Sequence, residues 1–360
     1  MQWTRRMVAF ALASAAVFAG AAGADEAKTK ALAAVAKEKL GSIHAAVLVA
    51  RGDETLLHEG FGAADADAKR PIDRDTVFAI GSITKLFTAV AILRLEQDGK
   101  LATGDALGDH LDGVPEDKAK ITLHQLLTHT AGLPEYHDLK GEGGDFAPLT
   151  KDVALARILD AKLLFAPGSR SQYSNSGYTL LAAVIEEVSG QSWTQFLREK
   201  LFTPAGMKDT GFFGEKLWKR ERVAIGLGKK KHGDNAPDEW PLTGSTLGNG
   251  GIVSTVEDLA RWCRALEGDA VLDAKRRARL FEAQVKLPEG GAEGYGWMVG
   301  RTPGGESEYE VAGGDDFGFL ALLTWRPKSR RLVAITSNSA PGEGALPRVT
   351  AALMDALDGK

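Results

Sequence analysis

The chain has 360 residues, a length at which the hydrophobic core is usually divided between two domains. Hydrophobic residues make up 44% and charged residues 26%, a balance typical of globular proteins and not of disordered or fibrous ones. Lys and Arg number 44 against 48 Asp and Glu, and a net charge of −4 without a basic stripe argues against nucleic acid as the main partner. The only cysteine, Cys263, excludes an internal disulfide and a cysteine-ligated zinc site.

Residues 1–24 are predicted to be a secretory signal peptide. Arg5 and Arg6 precede a short apolar run without acidic residues, and the small residues 22–24 suit cleavage. A membrane anchor is the weaker interpretation, because the run is short, is rich in Ala and Gly, and ends in small residues and not in charges that would fix a spanning helix. No cysteine follows the predicted cleavage site, which argues against lipid attachment there. We therefore expect a periplasmic or secreted protein without stable membrane insertion, exported by either the general or the twin-arginine route.

Strands are predicted near both ends of the mature chain. After a helical segment at 25–40, apolar runs at 45–50 and 55–61 flank a short Gly/Asp turn and predict a β-hairpin. Two runs at 319–325 and 331–337 predict a second hairpin in the same way. A closing helix is predicted over 346–357.

The middle of the chain is predicted to be mostly helical. The clearest helix covers 82–98, where apolar residues recur at three- and four-residue spacing. Further helices are predicted over 121–128, 151–164, 178–188 and 192–201. Ser254 and Glu257 predict a capping box that opens the helix with Cys263, and the apolar neighbours of this cysteine indicate a buried side chain. The Gly- and Lys-rich stretch 226–241 predicts a solvated loop.

These elements predict an α/β (α+β) fold. Both termini would form one antiparallel sheet flanked by helices, with a mostly helical domain inserted between them. We expect the sheet domain to comprise 25–100 and 290–360, and the inserted domain to comprise 101–289.

The absence of known motifs argues against a metal site, a phosphate-binding loop and a nucleophile elbow. The seven histidines include no HxH or HExxH spacing, so a metal site is not expected. No GxxxxGK[ST] phosphate loop is present, and no GxGxxG opens a helix. The GxSxG nucleophile elbow is also missing. We therefore expect neither a metal nor another cofactor.

A nucleophile and a base are predicted at the start of the helix over 82–98. Ser82 and Lys85 lie three residues apart on one helix face, and the first-turn N–H groups lie beside the serine hydroxyl. A serine becomes nucleophilic when a base takes its proton, and a partly desolvated lysine can do so. Since SxxK alone is a weak motif, the alternative is a capping serine followed by a surface lysine.

A second polar segment follows the Pro-Gly pair at 167–168. Tyr173 and Asn175 are two residues apart in a turn-rich loop, so both side chains can point the same way. A tyrosine oxygen beside a lysine ammonium can hold or relay a proton, and an asparagine amide can hold a substrate carbonyl. Taken alone, the segment is equally typical of a polar turn before a helix.

Together these segments resemble the serine β-lactamase and penicillin-binding protein superfamily, nearest the branch of class C β-lactamases, D-specific peptidases and related esterases. The motifs follow the family order: FAIGSITKLFTA at 78–89, LLTHTAGLP at 126–134, PG at 167–168 with YSNSGY at 173–178, PAGMKDT at 204–210, and GGIVST at 250–255. The resemblance runs from about residue 40 to 357. It implies that Ser82 is acylated, that Lys85 and Tyr173 share the base and acid roles, and that Asn175 positions the substrate. It also implies the fold predicted above, with the site in the cleft.

The third motif of the family is altered in this chain. The family has a Lys or His, a small residue and Gly on a strand, and the best match here is Val311-Ala312-Gly313-Gly314. The glycines fit, and the N–H of Gly314 would pair with that of Ser82 as an oxyanion hole. However, Val311 stands where the cation or imidazole belongs, and Ala312 lacks a hydroxyl.

This departure affects the expected substrate. Without the cation, and with Asp315 and Asp316 next to the motif, the site would repel or fail to pair an anion. We therefore favour a neutral ester or amide, or a substrate carrying an amine, over a penicillin or a peptide ending in D-Ala-D-Ala. In the alternative, both Asp side chains face solvent and Arg301 or Arg348 supplies the charge.

The leading hypothesis is an exported serine hydrolase that forms an acyl-enzyme at Ser82 on a small-molecule or peptide substrate, with esterase-like or peptidase-like activity. One alternative is a class C-type β-lactamase or D,D-carboxypeptidase. Another is a non-catalytic binding protein on the same fold, although four intact polar side chains weigh against it. Whether Lys85 or Tyr173 is the general base stays open, since coupled groups share their proton.

Overall fold

The computed structural model describes residues 26–359 except 139–146, 230, 231, 233, 288, 289, 341 and 343. The predicted signal peptide therefore lies outside the described residues, as do two of the three lysines in the predicted loop. In the part of the chain that is described, no helix combines the length and the apolar composition that a membrane span requires.

An eight-stranded antiparallel sheet joins the two ends of the chain. The strands of the protein are β1 (Ala45–Arg51), β2 (Glu54–Phe61), β3 (Phe78–Ala79), β4 (Gly211–Phe212), β5 (Ile252–Ser254), β6 (Val285–Lys286), β7 (Ala292–Glu293), β8 (Met298–Arg301), β9 (Ser307–Gly314), β10 (Leu320–Arg326) and β11 (Arg331–Ser337). The order in the large sheet is β2-β1-β11-β10-β9-β8-β7-β6, and β3, β5 and β4 form a small second sheet. Because β1 pairs with β11 along its whole length, the two predicted hairpins lie side by side. The α/β fold class with an antiparallel sheet from both termini is confirmed.

Ten α-helices are found in the described residues, and most lie between the two ends of the sheet. They are α1 (26–40), α2 (Thr84–Gln97), α3 (Glu116–Ala119), α4 (Leu123–Leu127), α5 (Lys151–Asp160), α6 (Asn175–Ser189), α7 (Trp193–Leu197), α8 (Val256–Ala265), α9 (Ala274–Leu280) and α10 (Ala345–Leu357). A 3₁₀ turn, Gly81–Ile83, leads into α2, and a π-helical turn, Arg198–Phe202, continues α7. Each predicted helix is present, with ends that differ by a few residues.

The beginning of α6 differs from the prediction for a physical reason. Periodicity places the first turn at residue 178, whereas the helix begins at Asn175. The N–H of Asn175 donates to the Glu135 carboxylate at 2.7 Å, so a remote acid satisfies a first-turn donor and favours the positive helix end. Asn175 therefore belongs to a helix and not to the predicted turn-rich loop.

The predicted cap of α8 is also displaced by one residue. Thr255 is the N-cap, and its hydroxyl accepts a hydrogen bond from the N–H of Asp258. Ser254 is the last residue of β5, and its hydroxyl is paired with that of Thr210. The capping box of Ser254 and Glu257 is therefore wrong. Cys263 is buried on this helix as predicted, and burial raises the pKa of its thiol.

The stretch 226–241 is not the solvated loop that its composition predicts. Ala236 and Trp240 are buried, and the Trp240 ring lies 5.3 Å from that of Phe317. The N–H of Gly228 donates to the carbonyl of Phe317, which joins the stretch to the turn between β9 and β10. The Gly and Lys content is typical of a loop, but packing against this turn buries much of it.

Helices cover both faces of the sheet. The first and last helices, α1 and α10, share an apolar cluster with the outer faces of β1 and β11. The opposite face packs against α8 and the larger core, in which eleven of the fourteen residues of α2 are buried. This core continues through the helical middle of the chain, where the Phe87 ring contacts Phe202 and Trp262. Helix α2 is therefore held rigidly between the sheet and the helices, while the predicted division into two domains stays a prediction.

Candidate active site

Gly81 places Ser82 at the beginning of α2. Its φ of +51° lies in the left-handed region, and a Cβ atom built there would lie 2.5 Å from the N atom of Gly314. Only glycine therefore permits the turn from β3 into the helix to approach the end of β9 this closely. The result is a serine at a helix N-terminus beside the end of β9.

The structure brings Ser82, Lys85 and Tyr173 together. Lys85 Nζ donates a hydrogen bond to Ser82 Oγ at 2.9 Å. Ser82 Oγ and the Tyr173 hydroxyl lie 2.7 Å apart, and either oxygen can be the donor. The serine oxygen thus lies between an amine and a phenol, and a proton can pass from it to either neighbour. The alternative of a capping serine followed by a surface lysine does not fit, because Lys85 is only 3% exposed.

Neutral groups surround the amine of Lys85. Its Nζ also donates to the backbone carbonyl of Asn249 at 3.0 Å, and it lies 4.8 Å and 5.9 Å from the ring centres of Tyr173 and Tyr178. None of the ion pairs among the described residues includes Lys85. Asn249 is a site residue that sequence reasoning missed. It precedes the Gly-Gly pair of a family motif, but a backbone carbonyl leaves no side-chain signature.

His129 is a second residue that sequence reasoning did not assign to the site. Its ring centre lies 4.7 Å from that of Tyr173 and 5.1 Å from that of Tyr178. Its Nδ1 atom accepts a hydrogen bond from the N–H of Ser174 at 3.2 Å. Burial, and to a smaller degree the charge of Lys85, lower the pKa of His129 to about 3. The ring is therefore neutral near pH 7.

Asn175 lines the small cavity beside Ser82. His137 Nε2 donates to the carbonyl of Ser245 at 2.7 Å. Its Nδ1 atom lies 3.4 Å from the side-chain nitrogen of Asn175 and 3.5 Å from a carboxylate oxygen of Glu135. Asn175 is thus placed beside Ser82, and its expected role in positioning the substrate stays a prediction.

The backbone of Gly313 and Gly314 lies directly against the turn before α2. The N–H of Asp315 donates to the carbonyl of Phe319, so the alternation of an antiparallel ladder directs the N–H of Gly314 away from β10. A Cβ on Gly313 would lie 2.6 Å from the N atom of Ser82. The N atoms of Ser82 and Gly314 thus both lie at the close contact between the turn before α2 and the end of β9.

The altered third motif lines the same cleft. Val311 and Ala312 both face the larger cavity, Val311 largely buried and Ala312 exposed. Arg301 is exposed and donates to the carbonyl of Gly305, and Arg348 is exposed on α10. Neither arginine lines the cavities beside Ser82. The alternative in which one of them supplies the missing charge is therefore not supported.

The two predicted carboxylates differ in position. Asp315 lines the small cavity, and its Oδ1 accepts hydrogen bonds from the N–H groups of Phe317, Gly318 and Phe319. Asp316 is exposed. Of the two carboxylates, only that of Asp315 borders the small cavity, and it also holds the turn after β9 in place.

Two connected spaces meet at Ser82. One has a volume of about 40 Å³ and is bordered by Asn175, Phe213 and Asp315, and the other has about 200 Å³ and contains Tyr173 and Trp297 on its walls. Glu293 and Glu310 also line the larger space, and burial raises the pKa of Glu310. The cleft therefore has room for a small ester or amide. In the described residues, no group of three or more His, Cys, Asp or Glu side chains is arranged to hold a metal ion.

Comparison with known proteins agrees with this fold. The family model described as Beta-lactamase matches residues 30–357. The chain therefore belongs to the β-lactamase family, and it has the serine β-lactamase fold. The resemblance inferred from the sequence motifs is confirmed.

Individual relatives include penicillin-binding proteins and an esterase. The chain is 32% identical over 285 residues to penicillin-binding protein 4* of Bacillus subtilis, covering 74% of this chain and 62% of that protein. It is 36% identical over 189 residues to esterase EstB of Burkholderia gladioli, covering 47% of each. It thus spans less than two thirds of either relative. The structure of an octameric penicillin-binding protein homologue from Pyrococcus abyssi superposes with a TM-score of 0.78 at 26% identity, covering 93% of this chain and 78% of that one.

Proposed function

We propose that the chain is an exported serine hydrolase that forms an acyl-enzyme through Ser82 on an ester or amide. The observation that carries the proposal is the position of Ser82 Oγ, 2.9 Å from Lys85 Nζ and 2.7 Å from the Tyr173 hydroxyl. A serine held between two groups that can exchange its proton is an activated nucleophile.

Acylation follows from this arrangement. The Lys85 and Tyr173 pair takes the proton of Ser82 as Oγ bonds to the substrate carbonyl carbon, and the carbonyl oxygen becomes an oxyanion. The N–H groups of Ser82 and Gly314 donate to that oxyanion. When the intermediate collapses, the bond to the alcohol or amine breaks, and the pair returns the proton to this leaving group.

Deacylation repeats the sequence with water as the nucleophile. The same pair of groups takes a proton from the water, the oxyanion forms again in the same place, and the proton returns to Ser82 Oγ as the acid product leaves. Because the two groups are coupled through one serine, the pair and not either residue alone is the base.

The walls of the cleft favour substrates that are neutral or carry an amine. Val311 offers no charge to a substrate carboxylate, and Asp315 at the smaller cavity would repel one. The small substrate is the only partner that the proposal needs, without metal, other cofactor or nucleic acid.

Two other functions use the same fold. The relationship to penicillin-binding protein 4* favours a β-lactamase or D,D-carboxypeptidase activity as the second candidate. A non-catalytic binding protein is the third, and it gives no reason for a serine hydroxyl within hydrogen-bonding distance of both an amine and a phenol.

One experiment separates the three functions. The protein is incubated with a p-nitrophenyl ester of a short acid, with the p-nitroanilide of an amino acid carrying a free amine, and with a fluorescent penicillin. Turnover of the first two, lost in Ser82→Ala, supports the proposal. Rapid acylation by the penicillin supports the second candidate instead. If neither these substrates nor a fluorophosphonate probe label Ser82, the binding protein is favoured.

Export is tested separately. The full chain is expressed in a Gram-negative host, and the periplasmic fraction is examined by mass spectrometry. The proposal expects a mature product that begins at Asp25. A product that keeps residues 1–24 and stays in the cytoplasm contradicts it.

A further inference from the structure

Tyr173 lies on a segment that does not hold it by regular secondary structure. Residues 161–174 form neither helix nor strand, and the Tyr173 side chain is unusually open, at 51% exposed. Its hydroxyl nevertheless lies 2.7 Å from Ser82 Oγ. Because a displacement of about 1 Å at a reacting group can cost ~100-fold in rate, such a residue needs other contacts to fix it.

His129 supplies contacts to three consecutive residues of that segment. Its backbone carbonyl accepts a hydrogen bond from the N–H of Gln172 at 2.9 Å, and its ring Nδ1 accepts one from the N–H of Ser174 at 3.2 Å. Its ring also packs on the ring of Tyr173, with 4.7 Å between centres and 33° between planes. One residue therefore holds Tyr173 and both of its chain neighbours.

The backbone of His129 has an unusual conformation. Its φ is +55°, in the left-handed region that residues other than glycine seldom adopt, just after α4 has ended at Leu127. Such conformations persist when the surroundings over-determine them, and they cluster at functional sites. Here the conformation lets the carbonyl and the ring of a single residue bind the same segment.

Other contacts also hold the segment. The carbonyl of Thr130 accepts from the N–H of Gly168, and the Ser171 hydroxyl donates to the Glu293 carboxylate at 2.8 Å. None of these contacts includes the Tyr173 ring. What the imidazole adds is the ring contact with Tyr173 and the acceptor for Ser174.

The charge state of the ring matters for these contacts. Nδ1 can accept from Ser174 only when it carries no proton, so the proton of the neutral ring is on Nε2. The groups that face the ring are the phenols of Tyr173 and Tyr178 and the amine of Lys85. A second cation beside Lys85 would be repelled, in agreement with the lowered pKa of His129.

We propose that His129 is a positioning residue whose neutral ring fixes the Tyr173 hydroxyl at Ser82 and so sets the rate of acylation, acting through Tyr173. The inference rests on the proposed serine hydrolase function. It assigns a catalytic purpose to the His-Thr-Ala-Gly segment at 129–132, which the sequence resemblance includes without a role.

Three substitutions separate the contacts of the ring. His129→Asn keeps an acceptor and tolerates a positive φ, His129→Phe keeps a flat ring, and His129→Ala removes both. The rate of the acylation burst with a p-nitrophenyl ester is measured for each. We expect His129→Ala to lose ~100-fold, mainly in kcat with little change in KM, and the other two variants to retain part of the rate. Equal rates in all three variants and the native protein would overturn the inference.

A double-mutant cycle tests whether His129 acts through Tyr173. If it does, adding His129→Ala to Tyr173→Phe lowers the acylation rate little further, because the hydroxyl that the ring positions is already missing. If the two losses multiply in full, His129 acts independently and the inference is wrong. His44→Asn is the matched control, since its Nδ1 also bonds a backbone group, the carbonyl of Ala63, but it lies outside the cleft. Its acylation rate should equal that of the native protein.

A structural measurement tests the role of His129 independently of the proposed hydrolase activity. The NMR signal of Tyr173 Cζ, in protein with ¹³C-labelled tyrosine and assigned through Tyr173→Phe, should shift or broaden in His129→Ala while the melting temperature shows the protein still folded. If the native protein fails to acylate, the proposed function fails, and this signal alone decides the inference. An unchanged signal would overturn it in either case.

Discussion

The two sides of the cleft differ in how closely they follow the family pattern. On the side of α2, the Ser82 hydroxyl lies within hydrogen-bonding distance of both the Lys85 amine and the Tyr173 phenol. On the side of β9, the glycine backbone keeps its close approach to the helix, but Val311 and Ala312 replace the expected cation and its small neighbour. The groups that would make and break bonds are thus retained where the groups that would recognise a carboxylate are not. Chemistry and recognition occupy opposite walls and can change independently.

The largest expected effect is on the α2 side. Ser82→Ala removes the atom that attacks the substrate, so ester turnover should fall by at least about 10³-fold. The measurement is kcat/KM with a p-nitrophenyl ester. Ser169→Ala is the control, because this exposed serine only donates to the nearby carbonyl of Ala166, and it should leave turnover unchanged. Residual turnover in Ser82→Ala above a tenth of the native rate would contradict the assignment.

The next largest effect is expected where the turn before α2 contacts the end of β9. Gly81→Ala places a Cβ atom 2.5 Å from the N atom of Gly314, which forces the helix and the end of β9 apart. Because the two proposed oxyanion donors lie on either side of this contact, we expect ~100-fold loss in kcat as well as a lower melting temperature.

Gly99→Ala is the matched control for that substitution. Gly99 also has a positive φ, +69°, but no atom lies within 4 Å of a Cβ built there. It should cost about 1 kcal/mol in the free energy of unfolding, from backbone strain alone, and leave kcat unchanged. If both substitutions lower the free energy of unfolding by the same small amount and neither lowers kcat, the close contact has no catalytic role.

The substrate preference should depend on the charge of the side chains on the β9 side of the cleft. Val311→Lys restores a cation at the edge of the larger cavity, where the long side chain can reach water. We expect kcat/KM for a carboxylate-bearing ester, such as a hemisuccinate, to rise about three- to tenfold against the neutral acetate. Met298→Lys adds the same charge elsewhere on the same cavity and controls for a general effect. Equal gains in both variants, or none in Val311→Lys, would contradict the argument from the third motif.

Local patterns predicted the fold well because its main features are local. The two hairpins are apolar runs around short turns, and α2 is a long run with regular apolar spacing that ends before Gly99. The resemblance joined these pieces to a known architecture. The pairing of β1 with β11, whose partners are at least 280 residues apart in the chain, follows from the same architecture.

The features that the sequence did not predict depend on contacts between residues that are distant in the chain. Helix α6 begins early because the carboxylate of Glu135 binds its first N–H, and 226–241 is buried by Phe317. Likewise, nothing near His129 in the sequence indicates that its ring lies on Tyr173. Ser82, Lys85 and Tyr173 could be predicted from the sequence because their side chains carry the chemistry. Asn249 contributes a backbone carbonyl, which every residue has.

An effect of a different kind is expected on the pH dependence of stability, and it arises at the α2 side. His129 has a pKa of about 3 in the folded protein and 6.5 as its ordinary value, which applies when the chain is unfolded. As the pH falls from 6.5 towards 3, the unfolded chain binds a proton on this ring and the folded protein does not. The stability contributed by the neutral ring is therefore complete above pH 6.5 and is lost as the pH falls through this window.

His129→Asn removes that contribution and leaves the other titrating groups in place. Its melting temperature should therefore decrease less between pH 7 and pH 4 than that of the native protein, as measured by circular dichroism at several pH values. The comparison uses the slopes and not the absolute temperatures, because the substitution also changes packing against Tyr173. Parallel slopes would mean that the ring takes up its proton equally in the folded and unfolded states. The ring would then be charged beside Lys85 in mild acid, and it would no longer accept a hydrogen bond from Ser174 there.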